Sequence, residues 1–88
     1  MSMAEGAGAV FQLAENGLPA QSLAAVGEEI EEAIGRIGAV VGDTQNDYVM
    51  GAYHQLRTAK EDIERARAAV EGCRESLQSY ASWVLGGA

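Results

Sequence analysis

The residues that could do chemistry in this chain are few and poorly spaced for it. His54 is the single histidine and Cys73 the single cysteine, so neither a His/Cys zinc set nor an internal disulfide can be assembled. On a helix His54 has no Cys, Asp or Glu three or four residues away to complete a ligand pair, and it reads as a surface or boundary histidine. Cys73 is followed by Arg74, but its place in the apolar pattern below predicts a small buried hydrophobe rather than a nucleophile. Glu28, Glu29, Glu31 and Glu32 form an acid run; on a helix such a run is a solvated face before it is a metal patch. Gly35, Gly38 and Gly42 build no phosphate loop, because no strand precedes them and no Lys-Ser/Thr follows. No nucleophile–base pair is formed. The expectation is therefore a non-enzymatic chain with no catalytic, cofactor-binding or metal-binding residues, and no cofactor.

The elements that carry these residues read as helices. Gly and Pro supply the punctuation. Met1 to Gly8 is small and Gly-rich and is expected to fray; a short amphipathic helix is predicted over about 9–16. Asn16-Gly17-Leu18-Pro19 should stop it, with Gly17 in the left-handed conformation. A second helix is predicted over about 19–41, with Gly42 closing it and Asp43 or Thr44 capping the next. A third should run from about 44 to 85, with Gly86-Gly87-Ala88 as a frayed end. The whole of 1–88 is expected to be a single domain.

The third helix carries the strongest pattern. Val49, Leu56, Ile63, Val70, Leu77 and Val84 recur every seven residues, followed three residues later by Ala52, Ala59, Ala66, Cys73 and Tyr80. That is an a/d heptad series, with large and small layers suited to close helix packing. The second helix offers Leu23, Ile30 and Ile37 at a, Val26, Ala33 and Val40 at d, and Ile34 and Val41 at e. A short Gly42-Asp43-Thr44 turn makes the pair antiparallel and places Ile37 near Val49, Ile30 near Leu56 and Leu23 near Ile63. The second helix then runs out at about residue 67. Val70, Cys73, Leu77, Tyr80, Trp83 and Val84 are left as the expected interface, to be covered by Val10, Phe11 and Leu13, by another chain, or by both. Lys60, Arg67 and Arg74 at e are placed to meet acids of a partner.

Charge narrows the partners. The net charge is −7, with seven acids and one base in residues 1–44 against six acids and five bases in 45–88. An acidic chain repels phosphate backbones, so nucleic acid is not expected. No apolar run approaches a membrane span, and no basic stretch precedes a long apolar one at the N-terminus. A cytoplasmic location is the default. The sequence predicts an all-α hairpin that dimerises into a four-helix bundle or pairs with another helical protein.

The chain also resembles, over roughly residues 20–85, the WXG-type (ESAT-like) helical hairpins of actinobacterial type VII secretion. The resemblance rests on two helices, a short turn, Gly51-Ala52-Tyr53-His54-Gln55-Leu56 and the Ala-rich heptads after it through Ser82. It implies a secreted or secretion-associated hairpin, exported without the usual signal peptide. The turn reads Gly-Asp-Thr where that family has Trp-x-Gly, and Val84 stands where its export signal has an acid four residues after the tyrosine. No functional residue is carried over.

Overall fold

A computed structural model describes residues 3–86, of which 89% are helical, with no strand among them. The elements are α1 (Met3–Asn16), α2 (Ala20–Val41) and α3 (Asp47–Leu85). Met1, Ser2, Gly87 and Ala88, expected as frayed ends, lie outside the described residues. Contacts divide the chain into two compact units. One is Met1–Ala20 with Ala68–Ala88; the other is Gln21–Arg67. The division falls after Arg67, the point at which the second helix was expected to run out.

The ends of the elements differ from expectation for local reasons. α1 starts at Met3, not near residue 9. Glu5 lies in its first turn, where a negative charge suits the helix dipole. Gly17 does not take the left-handed conformation; its N–H donates to the Leu13 carbonyl at 2.8 Å, extending the helical ladder. A Cβ there would meet the Leu13 side chain and lie 3.0 Å from the Leu13 carbonyl oxygen, so this glycine answers to space rather than to φ. Gly42 is the residue with φ of +65°, and its N–H donates to Gly38 O at 2.9 Å, the left-handed C-cap expected for α2.

The cap of α3 is Asn46, not Asp43 or Thr44. Asn46 Oδ1 accepts from the N–H of Tyr48 at 2.9 Å and of Val49 at 3.4 Å, satisfying two donors of the first turn. Thr44 Oγ1 instead accepts from the Asn46 N–H at 3.2 Å and shapes the turn. α3 therefore begins three residues later than predicted.

In the unit Gln21–Arg67 that delay moves the register by about one helical turn. A Cβ on Gly27 would sit 3.6 Å from Ile63 Cγ2, one on Gly38 would sit 3.2 Å from Tyr53 Oη, and Glu31 pairs with Lys60. Gly27, not Leu23, faces Ile63. These pairs run in opposite directions along the two helices, so the hairpin is antiparallel. Gly38 is a close-approach residue, whereas Gly35 has nothing near its Cβ position.

In the other unit α1 packs with 68–85 of α3. Ala7, Ala14 and Ala81 are the fully buried apolar residues, and no large side chain is fully enclosed among the described residues. Val10 is half-buried beside this alanine stripe, while Phe11 and Leu13, expected as cover, are exposed.

Candidate functional site

The six residues expected at the interface fall into two groups. Val70, Leu77 and Val84 are half-buried, and so belong to the seam of their own unit. Cys73, Tyr80 and Trp83 are exposed, Tyr80 by 49% and Trp83 by 54%. Cys73, expected to be buried, is thus exposed within the single chain.

The cause is the geometry of the helix. Seven residues at 100° each fall about 20° short of two turns, so the inward position moves along a long helix to later letters of the heptad. In residues 47–67 the predicted a and d positions are covered, with Ala52, Ala59 and Ala66 at d all half-buried, and Gly51, Tyr53 and Lys60 are half-buried beside them. In 68–85 the d positions turn outward, and Arg74 and Ala81 at e and Gln78 at b turn inward. In α2 the pattern is mixed: Gly27 and Ile34 at e and Ala33 at d are covered, while Val26 and Val40 at d and Val41 at e are exposed, Val40 by 85%.

What remains outside on the last turns of α3 is an aromatic pair. The Tyr80 and Trp83 rings lie 6.5 Å apart between centroids, tilted by 34°, with Leu85 exposed just beyond. Ring edges and faces held this way offer rigid apolar area with polar tips, the composition of interaction hot spots. A separate exposed group lies at the turn of the hairpin unit: Val40, Tyr48 and Met50, with Tyr48 90% exposed. Sequence reasoning passed over it because none of the three was given the role of an unpartnered residue.

Lys60, Arg67 and Arg74, expected to meet acids of a partner, each also reach an acid of their own chain. Lys60 pairs with Glu31, Arg67 with Glu64 at 3.5 Å, and Arg74 with Glu71 at 2.9 Å and Glu15 at 3.8 Å. Arg36 pairs with Glu32, Arg65 with Asp62, and Arg57 lies 5.6 Å over the Tyr53 ring. Every base is engaged within the chain. Hydrogen bonds from Arg74 hold the Glu71 carboxyl below the usual carboxylate range, and the same contact raises Arg74. Gln78 Nε2 donates to Glu15 Oε1 at 2.5 Å, so Glu15 is held by two residues of α3.

Nothing else gathers reactive groups. Among the described residues no three metal-ligating side chains lie together, and His54 is exposed. The open groove along Ile34, Arg57, Lys60 and Glu61 carries mixed charge that is already paired in part. No helix among the described residues is long and apolar enough to cross a membrane. No family model, curated protein or solved structure matches this chain.

Proposed function

We propose that the chain is a non-enzymatic interaction module that associates with a second copy of itself by helix packing, the two copies together forming a four-helix bundle. One observation carries the reading. No large apolar side chain is fully buried among the described residues, while Phe11, Leu13, Tyr80, Trp83 and Leu85 stand exposed in one unit and Val26, Val40, Tyr48 and Met50 in the other. Enclosing a large apolar side chain is worth roughly 1.5–3 kcal/mol, so closing even part of this surface against a partner outweighs the solvation it now has. Because every base already has a partner within the chain, the association is apolar in origin.

Sedimentation equilibrium tests it. A dimer is expected at tens of micromolar; a fully folded monomer at that concentration would overturn the proposal.

A further inference from the structure

Between Ala69 and Trp83, α3 exposes one uncharged face. Ala69, Cys73, Ser76, Tyr80 and Trp83 are all exposed and follow one another at steps of four and three residues, which places them on one side of the helix. The charged residues of this stretch lie elsewhere: Glu71 is on the far side of the helix, Glu75 is on its flank, and Arg74 is turned in towards Glu15. The face is graded in size. Its early members are alanine, cysteine and serine, and its late members are the adjoining rings of Tyr80 and Trp83.

We infer that this face is a self-complementary contact, in which α3 of one copy packs antiparallel on α3 of a second copy about a two-fold axis near Ser76. The inference rests on the proposed self-association and names the surface that performs it. A two-fold contact brings each residue against its mirror position in the sequence. About Ser76 this sets Trp83 over Ala69 of the second copy and Tyr80 over its Gly72, next to Cys73, large against small at both ends. A parallel pairing sets ring on ring at one end and alanine on alanine at the other, and leaves a gap there. The absence of charge matters equally: two copies of a chain carrying −7 meet on a face where neither presents a carboxylate.

Cysteine cross-linking reads this arrangement directly. In an antiparallel pair about Ser76 the two Cys73 residues are offset by about six residues, roughly 9 Å along the axis, beyond the ~7 Å Cα separation a disulfide tolerates. The double variant Cys73→Ser, Ser76→Cys should give a disulfide dimer under mild oxidation at least ten times faster than Cys73→Ser, Glu75→Cys. Wild-type Cys73 should be as slow as that control. Rapid Cys73–Cys73 bonding means parallel packing, and equal rates at 76 and 75 mean another surface; either overturns the inference. Ala69→Glu supplies a second reading. The residue is exposed, so the helical circular dichroism should be unchanged, but the glutamate meets Trp83 of the second copy and should weaken dimerisation at least tenfold. Sedimentation of the Cys73→Ser protein separates the two failures. A dimer lacking preferential cross-linking at 76 sinks this surface alone, whereas a monomer sinks the self-association itself.

Discussion

The two units solve the same packing problem with different small residues. Around α1 and the end of α3 the seam is closed by alanines, with Ala7, Ala14 and Ala81 at 2% exposure or less. Between α2 and the first half of α3 it is opened by glycines, Gly27 opposite Ile63 and Gly38 opposite Tyr53. Each seam is flanked by an acid of the shorter helix reaching a base at heptad position e of α3, Glu15 to Arg74 in one and Glu31 to Lys60 in the other. The difference teaches where slack resides. An alanine with no free surface cannot take another methylene, while a glycine 3.6 Å from its neighbour can take a methyl.

Substitutions can break or sharpen that contrast. The largest effect is expected for Ala81→Leu, which forces a branched side chain into a filled seam and should cost about 1–3 kcal/mol in chemical unfolding. A neutral result would mean the alanine seam has room after all. In the other unit Asn46→Ala removes the acceptor of two first-turn N–H groups and should cost about 1 kcal/mol, read as a lower melting temperature. Gly27→Ala should act in the opposite sense. Its Cβ makes ordinary contact with Ile63, and replacing a mid-helix glycine should stabilise the chain by up to about 1 kcal/mol. A loss there would show that the helices cannot accommodate the methyl.

The smallest effect concerns pH. Glu71 is held below its unfolded value by Arg74, so its contribution is complete above the ordinary carboxylate range and disappears as the pH falls through the lowered value. Both groups are solvent-exposed, so the difference between wild type and Glu71→Gln in acid titrations of stability should be slight and of that sign.

The sequence carried the helices and the breaks between them, because Gly17-Leu18-Pro19 and Gly42 interrupt a strong apolar period. It also carried the a series of α3, whose six aliphatics are all half-buried. The d series was legible only in the first half, since a heptad written on paper does not turn as an α-helix does. Cys73 is read as buried on that account, and Ala81 at 0% exposure is missed. Asn46 was overlooked because Thr44 and Asp43, equally good caps by type, come first in the chain. Gly27 stood at e between Val26 and the acid run, and only its spacing from Ile30 and Ile34 hinted at a close approach.

The engagement of every base inside the chain decides how the surroundings act on association. Glu28, Glu29, Asp43, Asp47 and Glu61 form no ion pair among the described residues, and the chain carries −7, so two approaching copies meet as like-charged bodies. Mobile ions shorten the reach of that repulsion, to about 10 Å at 0.1 M salt and about 3 Å at 1 M. Added salt should therefore tighten the dimer, the reverse of its effect on an interface held by cross-chain ion pairs.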